Sequence, residues 1–146
     1  MPHQTVIGVH LVLVEEDQVL LGRRRNTAYG EGCWHVPAGH LEQGESVAAG
    51  MAREAREELG IDIDQADLKL VHVLHDLDAD DGAGRLQLFF TPAKYTGQVE
   101  NMEPAKCGDL RWWPLEALPE PVIDYTVQAL DAIAVGRALS VRGFPA

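Results

Sequence analysis

The sequence predicts an α/β (α+β) domain with a central mixed β-sheet, and three observations predict it. Two β-rich runs open the chain, one amphipathic helical stripe follows a short strand, and a second set of β-like segments leads into a closing helix. A length of 146 residues suits a single hydrophobic core over residues 1–146. With 46% hydrophobic and 24% charged residues, the composition is that of a folded protein rather than a disordered tail.

Residues 6–14 and 18–22, read through Arg23, are rich in Val and Leu and are separated by Glu15-Glu16-Asp17. That pattern predicts two strands joined by a tight turn. A polar loop runs from Arg23 to Gly32, and Cys33-Trp34-His35-Val36 then reads as a short strand stopped by Pro37. Over residues 46–59 the pattern turns helical, with Ala48, Met51, Ala52, Ala55 and Leu59 on one stripe. Ser46 is placed to cap its start and Gly60 to end it. Two β-like segments follow near 68–75 and 85–91, joined by an acidic turn at 76–84. A strand is expected around 109–113, a short helical turn at 114–118 and a closing amphipathic helix at 122–139. No repeat, low-complexity tract or long linker divides the chain.

Charge narrows the function classes. Twelve Lys and Arg against 23 Asp and Glu give a net charge of −11, which opposes adhesion to a nucleic acid polymer or an anionic membrane. A phosphate compound would have to be met through local arginines or a bound metal ion. No apolar run approaches the roughly 20 residues of a membrane helix, and the run at 6–14 is interrupted by His10. The opening Met1-Pro2-His3-Gln4-Thr5 lacks the basic patch and apolar stretch of a secretory signal, so a cytoplasmic address is expected. Cys33 and Cys107 are then expected to be reduced thiols.

The chemistry is concentrated on the first helix. At about 100° per residue, Glu54, Glu57 and Glu58 fall within about 100° of one another, while the stripe of Ala48, Ala52, Ala55 and Leu59 lies roughly 110° away. The helix is therefore expected to bury one side and present three carboxylates on another. Their repulsion calls for compensation by Arg53 and Arg56 or, more effectively, by a divalent cation with a preference for hard oxygen ligands. The spacing is specific: Gly39-x5-Glu45-x7-Arg53-Glu54-U-x-Glu57-Glu58-x-Gly60-U, with U apolar. Seven fixed residues coincide by chance at a given position with a probability on the order of 10⁻⁶ for this composition.

This 23-residue segment resembles the Nudix box, the signature of hydrolases that cleave nucleoside diphosphates linked to another moiety. Ala55 is smaller than the Leu, Ile or Val more often found there. The resemblance implies a Nudix-type α/β/α sandwich. It implies that Glu57 and Glu58 ligate Mg²⁺, for which Mn²⁺ is a substitute, with the Gly39 carbonyl as a further ligand. Glu54 would hold a metal or act as general base, Arg53 would orient it, and Glu45 would brace the loop at 39–44. The catalytic set is thus Glu54, Arg53 and Glu57.

Two flanks point to a branch. The segment from His35 to Glu42, with Ala38 where many members have Gly, resembles MutT-like nucleoside triphosphate diphosphatases. So do Asn101-Met102-Glu103-Pro104-Ala105-Lys106 and the Trp-containing run that follows. This favours a (deoxy)nucleoside triphosphate cut to monophosphate and pyrophosphate. Glu103 becomes a further metal carboxylate, Trp34, Trp112 and Trp113 are candidates to stack on a base, and His35 to read its edge. Arg23 and Arg24 are candidates to meet the triphosphate. Two alternatives stay open: a hydrolase of ADP-ribose or a nucleoside diphosphate sugar, and a non-catalytic module that senses nucleotides. The expected partner is a small nucleotide, with no nucleic acid polymer and no membrane, and the resemblance allows for a homodimer.

Other patterns carry less. The run Asp76-x-Asp78-x-Asp80-Asp81-Gly82 imitates a calcium loop, but Asp81 stands where the turn needs Gly and Gln87 where Glu is needed. A polar hairpin tip accounts for it better. His72 and His75 are three apart in a strand and point to opposite faces.

Overall fold

In the computed structural model, which describes residues 1–78 and 82–145, the first hairpin closes around two residues in left-handed conformation. Glu16 and Asp17 take φ of 50° and 62°, the geometry that lets right-twisted strands return on themselves. They join β2 (Val14–Glu15) to β3 (Gln18–Arg24). The run at 6–14 is consequently not one strand. β1 (Val6–Leu11) ends before it and belongs to a different sheet.

That sheet has five strands in the order β5 (Ala38–His40), β1, β7 (Gly84–Pro92), β6 (Leu68–Leu77) and β9 (Leu139–Arg142). It is mixed: β1 runs parallel to β7 and β6 parallel to β9, while the other neighbours are antiparallel. The second sheet is antiparallel and built on β3, with β8 (Cys107–Pro114) along one edge and β2 and β4 (Trp34–His35) along the other. Helix α1 (Val47–Leu59) lies against β1 and β5, and α2 (Asp124–Ala134) against β6 and β9. The fold is the expected α+β arrangement of helices about a central mixed sheet.

Period-two alternation divides the interior into two cores. Val19 and Leu21 of β3 join Trp34, Leu74, Phe89 and residues of α2, whereas Leu20 joins Val9, Leu11, Met51, Leu59 and Phe90 beneath α1. Both β1 and β3 are thus buried on both faces, which is why their sequences read as nearly continuous apolar runs.

Two expectations are corrected. The closing helix spans Asp124–Ala134 rather than 122–139, because Gly136 at φ 73° breaks it and Leu139–Arg142 pairs with β6 as a strand. At its start, Val122 is held in a bridge to Trp34. The short helical turn expected at 114–118 is a single hydrogen-bonded turn, closed by Ala117 N–H on the Pro114 carbonyl. Strands expected at 68–75, 85–91 and 109–113 each extend further. Asp80 and Asp81 of the calcium-like run lie outside the described residues. His72 is buried against Ser140, while His75 packs on Phe144. Among the described residues, no helix is long and apolar enough to cross a membrane.

Candidate active site

Helix α1 begins where the Ser46 hydroxyl accepts the Ala49 N–H at 3.1 Å and ends where Gly60, at φ 69°, returns its N–H to the Arg56 carbonyl. Its buried residues are Gly50, Met51, Glu54, Ala55 and Leu59. Met51, Ala55 and Leu59 are buried as expected, Ala48 and Ala52 only half, and Glu54 is added to the buried side. Met51 and Leu59 carry far more apolar surface than Ala48 and Ala52, so the helix rolls to bury them and takes Glu54 inward with them. The three carboxylates therefore differ in environment: Glu54 is buried, Glu58 half-buried and the Glu57 side chain 51% exposed.

Two glycines make the close approach possible. A Cβ at Gly39 would fall on the Glu54 carboxyl group, and one at Gly50 would run into Leu41 and Glu45. Gly39 on β5 thus leaves a cradle open beside the acids.

Arg53 organises the rest. Its Nε and Nη2 donate to both oxygens of Glu45, at 3.0 and 2.8 Å, in a bidentate pair. Nη1 donates to Glu54 Oε1 at 2.9 Å and to Glu57 Oε2 at 3.0 Å, and Nη2 also reaches the His40 carbonyl at 3.1 Å. Glu45 Oε1 in turn accepts the Glu42 N–H at 2.8 Å. The Arg53 guanidinium, with help from that N–H, holds the Glu45 carboxyl down at about 2. One side chain therefore ties the loop after β5 to three acids on or beside α1.

The remaining charge is not compensated. Burial raises the Glu54 carboxyl above its ordinary value; Arg53 pulls it down, and Glu57 and Glu103 push it up. Burial, then the charges of Glu54 and Glu103, push Glu58 up to about 9, although the Ala38 N–H donates to it at 3.1 Å. Glu103 is delivered by a loop docked on the end of α1: Glu100 N–H donates to the Leu59 carbonyl and Met102 N–H to that of Glu58. These are acceptors that a helix terminus leaves unpaired. Asn101 fixes the loop internally, accepting the Glu103 N–H and donating to the Cys107 carbonyl at 2.8 Å. The Glu103 side chain stays 32% exposed, 3.9 Å from Lys106.

Among the described residues, no three His, Cys, Asp or Glu side chains already stand close enough to share one ion. Arg53 and the Ala38 N–H hold these carboxylates individually. The donor set is nevertheless of the right chemistry for a hard divalent cation: mutually repelling carboxyl groups, two of them raised by burial, beside an open backbone cradle at Gly39.

The structure thus brings Glu45, Arg53, Glu54, Glu57, Glu58, Gly39 and Glu103 into one region, and the other candidates stand apart from it. Trp34 and His35 are core residues, 5% and 4% exposed, because β4 is enclosed between β3 and the chain at Val122. A ring without a free face cannot stack on a base, so the expected roles of Trp34 and His35 as base contacts are corrected. Trp34 instead packs edge-on against Trp113. His35 Nδ1 lies 2.6 Å from the Thr126 hydroxyl, and its Nε2 lies 3.1 Å from His10 Nδ1. Arg23 donates to the Gly32 carbonyl and Arg24 to that of Tyr29, so both brace the loop after β3. Trp112 is half-buried and lines a groove.

Sequence reasoning missed the backbone partners, the Ala38 N–H and the His40 carbonyl, which leave no mark on residue type. It also passed over the buried pair His10 and Gln87, 2.6 Å apart. Their signal was present as two polar residues at inward positions of apolar strands.

Comparison with known proteins identifies the family. The NUDIX domain family model matches residues 2–131. The uncharacterized Nudix hydrolase YvcI of Bacillus subtilis (strain 168) is 37% identical over 130 residues, covering 88% of this chain and 78% of that protein. A mouse (Mus musculus) protein named 8-oxo-dGDP phosphatase NUDT18 is 29% identical over 112 residues; the match covers 75% of this chain but only 32% of that protein. Among solved structures, a MutT NUDIX hydrolase from Burkholderia pseudomallei superposes with a TM-score of 0.80 at 29% identity, covering 88% of this chain and 98% of that one.

Proposed function

This chain belongs to the Nudix family and is a pyrophosphohydrolase acting on nucleotide phosphoanhydride bonds, and on that premise we propose that its substrate is a (deoxy)nucleoside triphosphate, cleaved to monophosphate and pyrophosphate. One observation carries the hydrolytic part of the reading, and the choice of a triphosphate rests on the resemblance of residues 35–42 and 101–106. Arg53 holds Glu45, Glu54 and Glu57 together beside Glu58 and Glu103. Glu57, Glu58, Glu103 and the Gly39 carbonyl are the groups that would hold Mg²⁺, with Glu54 at their edge. When bound, the ion offsets polyphosphate charge and makes the attacking water more acidic.

The chain's own residues then divide the work. Arg53 engages Glu54 Oε1, so Oε2 is the atom that accepts the proton of water as its oxygen bonds to phosphorus and the bridging P–O bond breaks. A carboxyl raised by burial is a stronger base near neutral pH than an exposed one. Glu45, kept ionised by Arg53, fixes the loop that carries the Gly39 carbonyl.

A second reading is a diphosphate substrate, favoured by the name of the NUDT18 relative. A screen of nucleoside triphosphates, nucleoside diphosphates and ADP-ribose, with and without Mg²⁺, separates them by product. Pyrophosphate released from a triphosphate supports the first reading and orthophosphate from a diphosphate the second. No Mg²⁺-dependent product from any triphosphate would reject the first.

A further inference from the structure

A groove of about 340 Å³ lies between the second sheet and the loop that delivers Glu103, and the chemistry above leaves it unused. Leu20, Leu110 and the half-buried Trp112 form one wall, Glu100 and Asn101 the other, and Asp109 also lines it. Its volume is at the small end of sites that take organic ligands. The groove adjoins the carboxylates, because the chain that forms its second wall is the one hydrogen-bonded to the Leu59 and Glu58 carbonyls. The charge of Glu58 also reaches Cys107, whose thiol donates to the Asp109 carbonyl.

The polar groups lining it select a ligand. Asn101 commits its carbonyl and one amide N–H within the loop, to Glu103 and Cys107, which leaves the Glu100 carboxylate, and the part of the Asp109 carboxylate that Arg111 does not engage, as the acceptors of the groove. Cations border the groove without lining it: Arg111 pairs with Asp109 at 2.7 Å, and the Arg25 stem packs over Gly108. Two carboxylates on the lining of one groove repel phosphate and suit a flat ring that donates hydrogen bonds. An indole surface facing the same space suits stacking.

We infer that this groove is the nucleobase subsite: the base stacks on Trp112, and Glu100 and Asp109 accept hydrogen bonds from its amino edge. The enzyme accordingly prefers bases with an exocyclic amine to thymine and uracil, which set two carbonyls beside their one N–H. This rests on the nucleotide hydrolysis proposed above. It assigns the phosphates to the acids on α1 and the base to β8.

Two measurements test it. In metal-free protein labelled with ¹⁵N, titration with dAMP or dCMP is expected to shift the Trp112 indole N–H signal, identified by its loss in Trp112→Phe, and dTMP to shift it much less. In steady-state hydrolysis, Trp112→Ala is expected to raise KM for dATP about tenfold or more with kcat little changed, and Trp112→Phe to restore most of it. Glu100→Gln, a change at an exposed residue, is expected to narrow the preference for dATP and dCTP over dTTP. If wild-type enzyme hydrolyses none of these triphosphates, the reading as a triphosphatase falls, while the titration still reports on the groove. If wild-type enzyme is active yet the indole signal stays fixed, KM for dATP is unmoved in Trp112→Ala and the base preference is unmoved in Glu100→Gln, the base does not bind here.

Discussion

Two polar regions of this molecule solve the same burial problem in opposite ways. On α1, charged groups are brought together and left in surplus, with one guanidinium serving Glu45, Glu54 and Glu57 while Glu58 is pushed up to about 9. Between the sheets, neutral groups are brought together and nearly all satisfied: His10 meets Gln87 and His35, and His35 meets Thr126. Burial lowers His10 to about 4 against the opposing hydrogen bond of Gln87, and burial lowers His35 well below its ordinary value. A neutral network stabilises the fold by leaving nothing unpaired. A charged one keeps unmet demand, which makes it reactive.

The sharpest way to break the comparison is to neutralise one member of each region. Glu54→Gln is expected to lower kcat about 10²- to 10⁴-fold, the range for loss of a positioned general base. Its melting temperature should hold or rise, since burial already disfavours the charged form. Rapid-quench kinetics and calorimetry on the same sample check both. Thr126→Val reverses the pattern: His35 Nδ1 loses its partner in the core, at a cost of about 1–3 kcal/mol read by urea unfolding, with kcat of the folded enzyme unchanged.

The two regions also have opposite pH signatures in metal-free protein. His10 and His35 have depressed pKa values when folded, so the unfolded chain takes up their protons first. Their stabilisation is present above about pH 6.5 and declines as pH falls toward 4. Glu58 is raised from 4.5 to about 9, so its contribution is present below 4.5 and is lost as pH rises toward 9. Unfolding free energies measured from pH 4.5 to 9 should pass through a maximum, and Mg²⁺ should stabilise the protein on the alkaline side only. Equal stabilisation by Mg²⁺ at pH 5 would contradict the assignment of the ion to these acids. The smallest effect belongs to Ser46→Ala, a lost helix cap worth about 1 kcal/mol, seen in the melting temperature.

What the sequence disclosed follows the range of the forces involved. The spacing from Gly39 to Ile61 was legible because helical period fixes which side chains of α1 meet, and Ser46 and Gly60 act on their own neighbours. The Glu16-Asp17 turn was legible for the same local reason. Leu139–Arg142 was not, because its partner β6 lies far away in the chain and its apolar spacing fits a helix as well as a strand. Trp34 and His35 resemble ligand contacts until Val122 and Thr126 close over them. The roll that buries Glu54 depended on weighting Met51 and Leu59 above Ala48 and Ala52 within the apolar stripe by surface area rather than by class.

Consecutive residues of β3 serve opposite interiors, Val19 and Leu21 on one side and Leu20 on the other. Neither half can melt while the other survives, so unfolding is expected to be a single cooperative transition with no stable partial form. A deletion within the Glu16-Asp17 turn that slipped the strand by one position would exchange the two sets and undo both halves at once.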